Sequence, residues 1–258
     1  ERVAESIGQQ IETWNQQERE RLLEASGPLG PPAAIPVLYL CADGTGVPMV
    51  PEELQGRKGK QADGTARTRE GKLGCVFTQT GTDAKGYPVR DPDSTSFVGA
   101  IESAEPFGWR LYAEALRRGL PQACKIVALS DGSEWIKNLI HLHFPEALHI
   151  IDLYHAREHV AQLCNHLFAS DEKKRTQYRI RWWTTLDNGD VETLLLQAQR
   201  HLPENPQIRK PVQGELGYLE KNKERMRYAD FRAQGLFVGS GVVEAGCKTI
   251  IGQRLKRS

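Results

Sequence analysis

Three times along this chain a short apolar run stops at an aspartate, and that recurrence constrains its fold more than any other feature. Val37-Leu38-Tyr39-Leu40-Cys41-Ala42 ends at Asp43-Gly44, Lys125-Ile126-Val127-Ala128-Leu129-Ser130 at Asp131-Gly132, and Ala147-Leu148-His149-Ile150-Ile151 at Asp152. Nearly continuous apolar runs of this length, bounded by turn residues, predict buried strands. Aspartate is depleted from strands and costly to desolvate, so each acid needs a reason to be there. One reason is a turn, which Asp-Gly starts readily. The other is a site, because in open α/β sheets sites assemble at the carboxyl ends of strands. For one acid alone the turn suffices; for the set together with Glu244, a shared site is the better reading.

Helical spacing fills much of the rest. Val3, Ile7, Ile11, Trp14 and Leu22 predict an amphipathic helix over about residues 2–25, ended by the Gly/Pro-rich stretch 26–32. A basic loop is expected from Pro51 to Glu70, a strand at 72–78 and another at about 94–101. Phe107, Leu111, Tyr112, Ala115 and Leu116 predict a helix closed by Gly119 and Pro121, and a further helix is expected over about 133–142. Strands alternating with helices imply a largely parallel α/β sheet. From Ala156 to about Lys223 the periodicity is helical throughout, with Trp182-Trp183 read as core, and a last helix is expected from Val242 to about Lys256.

The 258 residues accommodate one large domain, or one domain with an insertion. No apolar run approaches the ~18 residues of a membrane span, so no membrane partner is expected. The first thirty residues lack the apolar stretch of a signal peptide. Five cysteines are an odd number with no C-x-x-C pair, which points to reduced thiols and a cytoplasmic chain. A net charge of +1 gives no global attraction for nucleic acid. Locally the balance differs: residues 57–90 carry a surplus of +5 and residues 206–258 of +6, against −6 over residues 1–56. Such segments fit either a phosphate-facing surface or a solvated face.

Four blocks then acquire a meaning together. Leu40-Cys41-Ala42-Asp43-Gly44-Thr45-Gly46-Val47-Pro48, Leu129-Ser130-Asp131-Gly132-Ser133-Glu134-Trp135, Ile151-Asp152-Leu153-Tyr154-His155-Ala156 and Gly239-Ser240-Gly241-Val242-Val243-Glu244-Ala245 resemble, in order, the motifs of DDE transposases of bacterial insertion sequences. The ISKra group is the nearest match, with a more distant likeness to Mutator-type transposases, and the resemblance spans about residues 36–258. It implies an α/β, RNase-H-like mixed sheet flanked by helices, with an all-helical insertion before the last catalytic helix. The implied division is an N-terminal helix and linker over 1–30, the first part of the core over 36–155, the insertion over 156–235, and core completion over 236–258.

The resemblance implies that Asp43, Asp131 and Glu244 are the catalytic acids and the ligands of two Mg²⁺ or Mn²⁺ ions. Such ions sit ~3.5–4 Å apart, one activating the attacking oxygen and the other stabilising the leaving oxygen. Water would first free a 3′-OH at the transposon end, and that 3′-OH would attack target DNA. Asp152 and His155 match the D-x-x-H block, with a supporting or DNA-positioning role. Trp135 is a candidate to stack on a base, or a core residue of the following helix. Arg57, Lys58, Lys60, Arg67, Arg69 and Lys72, and Lys248, Arg254, Lys256 and Arg257 beside Glu244, are candidates for the DNA backbone. The implied partners are transposon ends and target DNA, with a homo-oligomer on DNA in the bacterial cytoplasm, at the nucleoid.

Two other readings compete. His155-Ala156-Arg157-Glu158-His159 is a literal H-x-x-E-H, the inverted zinc-peptidase pattern, which on a helix sets two histidines on one face. It lacks an evident third ligand and leaves Asp43, Asp131 and Glu244 without a purpose. The third reading is a non-catalytic DNA-binding remnant. It arises because the chain begins without Met and stops fourteen residues after Glu244, so truncation at both ends is expected.

Overall fold

The computed structural model describes residues 2–24, 34–56 and 67–252. In chain order the elements are α1 (Arg2–Glu24), β1 (Ile35–Pro48), α2 (Pro51–Leu54), β2 (Thr68–Gln79), β3 (Gly81–Thr82), β4 (Pro88–Val89), β5 (Ser96–Ala100), α3 (Ala104–Arg117), β6 (Ala123–Ser130), α4 (Glu134–His143) and β7 (Leu148–Ile151). Then come α5 (Leu153–Leu167), α6 (Glu172–Asp187), α7 (Val191–Gln199), α8 (Pro206–Asn222), α9 (Tyr228–Ala233) and α10 (Gly241–Gly246). After α10 the backbone winds on as a π-helix over Cys247–Gly252, where the sequence pattern predicted one continuous α-helix. Among the described residues no helix is long and apolar enough to cross a membrane.

Five strands form one sheet in the order β5-β2-β1-β6-β7. β1 pairs antiparallel with β2 and parallel with β6, β2 pairs antiparallel with β5, and β6 parallel with β7. Only β2 is reversed, and helices flank the sheet: this is an RNase-H-like α/β fold. The sheet is therefore mixed, not largely parallel as the strand and helix alternation alone implied. The reason is connectivity. Parallel neighbours need a crossover, supplied by α4 between β6 and β7, whereas among the described residues β1, β2 and β5 follow one another with no helix but the short α2 between them, and each turns back on the last.

Strand alternation sorts the core onto two faces. Leu38, Leu40, Ala42, Val76 and Ala128 pack against Phe107, Leu111 and Ala115 of α3 and Ile136, Leu139 and Ile140 of α4. Tyr39, Cys41, Leu73, Cys75, Phe77, Val127 and Leu129 point to the other face, where they join Ala156, Val160 and Leu163 of α5, Trp182 and Leu186 of α6, Leu194 of α7 and Leu219 of α8. This second face carries the insertion, all helical from α5 through α9, with α10 beside it on β1 and β2.

Candidate active site

The strand carrying Asp43 does not stop there. β1 runs five residues further, to Pro48, because β2 continues to pair with it as far as Thr68. The Glu70 carboxylate crosses above Gly44, where a Cβ would stand 2.5 Å from its oxygen. The parallel partner does stop. The β1–β6 ladder ends at Cys41 opposite Leu129, so Asp43 and Asp131 each follow its last pair by two residues, Asp131 just past the end of β6. By alternation Asp43 shares the face of Tyr39 and Cys41, the face of the insertion and α10. Asp131 turns its backbone carbonyl to the Tyr218 hydroxyl of α8 at 2.8 Å, on that same side. Burial first, then the nearby negative charge of Asp131, raises the Tyr218 pKa.

Asp152 closes β7 and starts α5. Fully buried, it accepts hydrogen bonds on Oδ1 from the backbone N–H of Tyr154 at 2.6 Å and of His155 at 3.0 Å, capping the helix. Its Oδ2 accepts from the backbone N–H of Ser240. One carboxylate thus ties the third motif-bearing segment to the fourth, while the Asp152 N–H donates to Ser130 O of the second at 2.7 Å. The Leu153 N–H donates to Val238 O at 2.9 Å, Gln79 Nε2 to Gly235 O at 2.8 Å, and the Phe237 N–H to the Tyr39 hydroxyl at 3.2 Å. These bonds return the chain from the insertion to the sheet, so that α10 begins beside Asp152. The Ser240 hydroxyl donates to Glu244 Oε1 at 3.1 Å. Gly246 lets α10 lie flat: a Cβ there would stand 2.6 Å from Phe97 and 2.9 Å from Leu73.

The outcome is a cleft of about 470 Å³ lined by Asp43, Thr45, Tyr154, His155, Glu158, Glu244, Cys247, Lys248 and Gly252. The sheet and the two helices bring together Asp43, His155 and Glu244, which lie far apart in sequence. Asp131 does not line the cleft; its Oδ1 accepts from the Ser133 N–H at 2.8 Å, ahead of α4. Among the described residues no group of three His, Cys, Asp or Glu side chains is placed to hold a metal ion. The two histidines of H-x-x-E-H diverge in use. His155 Nδ1 lies 3.5 Å from Glu158 at the cleft, whereas His159 Nδ1 meets Glu215 at 2.6 Å and its ring stacks on Tyr218 at 3.5 Å.

Several other candidates lie elsewhere. Trp135 packs on the opposite face of the sheet, edge-on to Phe107 at 6.1 Å, as a partly buried core residue. Lys72 is buried beneath it, its ammonium 5.0 Å from the Trp135 ring and ion-paired with Glu70, so it is not presented to a DNA backbone. Arg69 pairs with Glu53 at 3.3 Å and donates to Ile101 O. Arg67 is exposed, and Lys248 is exposed at the cleft. Arg57, Lys58, Lys60, Arg254, Lys256 and Arg257 lie outside the described residues. Sequence reasoning gave no role to Thr45, Tyr154 or Cys247 in the cleft. Helical spacing was the available signal: Tyr154, His155 and Glu158 share one side of α5, and Cys247 and Lys248 follow Glu244 by three and four residues.

No family model matches the chain, and no curated protein does. Among solved structures, the Drosophila P element transposase strand transfer complex aligns at 10% identity over 78% of this chain and 53% of that chain, with a TM-score of 0.29. NurA bound to dAMP and manganese aligns at 12% identity over 98% of this chain and 46% of that chain, with a TM-score of 0.13. The chain spans about half the length of either protein. At these scores neither likeness bears on function, and the fold rests on the strand order itself.

Proposed function

We propose that this chain is the catalytic part of a DDE transposase, similar to the ISKra group, which cleaves and joins DNA strands with divalent metal ions. One observation carries the reading: Asp43 and Glu244 face one cleft at the carboxyl edge of the parallel strands of an RNase-H-like sheet, with Asp131 just past the end of the neighbouring strand. The donors suit a hard cation, since they offer only oxygen. Asp43 uses Oδ1 for the Gly44 N–H and Glu244 uses Oε1 for the Ser240 hydroxyl, so each keeps an oxygen for Mg²⁺ or Mn²⁺. Asp131 is the proposed third ligand. A bound ion pair supplies activation of the attacking oxygen and neutralisation of the leaving one.

The chain's own groups divide the remaining work. Lys248 meets a non-bridging phosphate oxygen at the cleft, and His155, oriented by Glu158, donates a hydrogen bond to the same strand. Asp152 acts by position, fixing the Ser240 backbone from which the Glu244 helix starts. In the first step a water oxygen bonds to phosphorus as the P–O3′ bond breaks; the water gives one proton to solvent, and the departing O3′ takes one up from solvent and leaves as a 3′-OH. In the second step that 3′-OH gives its proton to solvent, its oxygen bonds to a target phosphorus, and the target's own P–O3′ bond breaks, the released O3′ taking up a proton.

The test is nicking of supercoiled plasmid by the purified chain. Nicked circles are expected with Mg²⁺ or Mn²⁺, lost in Asp43→Ala and largely kept in His159→Ala. Stoichiometric zinc that is lost in His155→Ala, together with peptidase activity, would replace this reading by the zinc-peptidase one.

A further inference from the structure

We infer that a stripe of alternating aromatic and cationic side chains, leading from the cleft across the helical insertion, is the track for a single DNA strand. The inference rests on the strand-cleaving reading above and adds to it the surface that holds the strand beyond the cut. The stripe begins at Tyr154, which lines the cleft with Asp43 and Glu244 yet is 63% exposed. The Arg157 guanidinium lies 5.9 Å from the Tyr154 ring and 5.7 Å from the Trp183 ring. Arg179 lies 5.4 Å from that same indole. Arg175, Arg179 and Trp183 follow at four-residue spacing along α6, so the stripe continues down one side of that helix.

The members differ in what else they do, and the difference favours a ligand. Arg157 is fixed by a two-pronged pair with Asp187 and by the Trp183 indole N–H on its backbone carbonyl at 2.9 Å. It is the structural rung that spaces the two rings. Trp182 is the core residue of the tandem, fully buried with Nε1 donating to Gln197 at 3.0 Å, whereas Trp183 stays half-buried at the surface. Arg179 has no carboxylate partner among the described residues, and its buried Nε has no hydrogen-bond acceptor. A cation left in this state beside an aromatic face awaits an anion. Helix α6 as a whole carries Lys173, Lys174, Arg175, Arg179 and Arg181 against Glu172 and Asp187. Within the stripe Arg157 is paired with Asp187 and Arg175 reaches Glu172 at 4.0 Å, which leaves Arg179 as the cation for a phosphate, beside aromatic faces on which any base can stack.

The test uses a fluorescein-labelled 12-nucleotide single-stranded DNA and a second copy carrying 2-aminopurine, with Ca²⁺ in place of Mg²⁺. Wild-type chain should bind the first and quench the second by stacking. Tyr154→Ala should weaken binding about tenfold and abolish the quench, while Tyr154→Phe retains both. Arg179→Ala should lower the slope of log affinity against log salt by about one. Unchanged affinity, quench and salt slope in Tyr154→Ala and Arg179→Ala overturn the inference, as does preference for the 12-nucleotide RNA of the same sequence. The readouts separate the two ideas: nicking tests the strand-cleaving reading, and the quench and salt slope in Ca²⁺ test the track. If wild type itself never nicks but the track variants lose binding, the track stands and the strand-cleaving reading falls.

Discussion

Asp152 illustrates how much one side chain can organise. It is fully buried, and its oxygens satisfy the backbone N–H groups of Tyr154, His155 and Ser240. Asp152→Asn would turn an amide N–H₂ toward one of these donors. A buried donor left facing a donor costs about 2 kcal/mol, more where a charge was involved. Urea denaturation should show a loss of this order, together with loss of nicking, since the Glu244 helix starts at Ser240. His149 is the second informative residue. Its ring lies 2.7 Å from the Ser130 hydroxyl and 3.3 Å from Arg225, and burial, followed by the charges of Arg225 and Lys137, pushes its pKa down to about 3. An unfolded histidine titrates near 6.5, so below that pH the unfolded chain binds a proton that the folded chain refuses. Stability should therefore fall as pH falls from about 6.5 toward 3, at about 1.4 kcal/mol per pH unit for this one group. Denaturation at pH 7 and pH 5 measures it, the upper part of that window lying above most carboxylate titration. His149→Gln, which keeps a donor and an acceptor, should flatten the difference; an unchanged pH dependence would contradict the assignment.

At the scale of elements, the apolar runs predicted strands well because burial on both faces demands them. The runs at 37–42 and 125–130 lie within strands of the sheet, and that at 147–151 does so but for Ala147. Helices were legible for the same reason: α1, α3 and α4 lie where apolar spacing put them. What the residues did not reveal was β1 continuing past Asp43. That extension, Gly44-Thr45-Gly46-Val47-Pro48, holds two glycines and a proline, and it is a strand only because β2 returns alongside it, a long-range pairing that no local pattern encodes. The π-helix after Glu244 was equally hidden, since α and π windings share residue preferences. The close seat of α10 on the sheet makes a sharp prediction. Gly246→Ala places a methyl group against Phe97 and Leu73, and overpacking of this kind costs about 1–3 kcal/mol. Because the helix must lift from β2 to relieve it, nicking should fall further than the stability loss explains. Thermal melting and nicking assayed together would show whether the two effects separate.

For the whole molecule, the site is an arrangement that neither half of the chain could make alone. Asp43 comes from the sheet, His155 from the first helix of the insertion, and Glu244 from the segment that returns after it. The motif blocks pointed to these residues, and the fold gathers Asp43, His155 and Glu244 into one cleft. They could not foretell that Lys72 is buried under Trp135 or that His159 is held by Glu215, because ion pairs between distant elements leave no trace in local sequence. The central claim is that the cleft acids form one divalent-cation site. Titration of Mn²⁺ followed by electron paramagnetic resonance tests it most directly, because bound and free ions give distinct signals without any need for turnover. Wild-type chain should bind Mn²⁺, with binding weakened by at least tenfold in Asp43→Asn and in Glu244→Gln, about 1.4 kcal/mol or more per carboxylate lost, and unaffected in His159→Ala. Equal Mn²⁺ binding by wild type, Asp43→Asn and Glu244→Gln would contradict the claim.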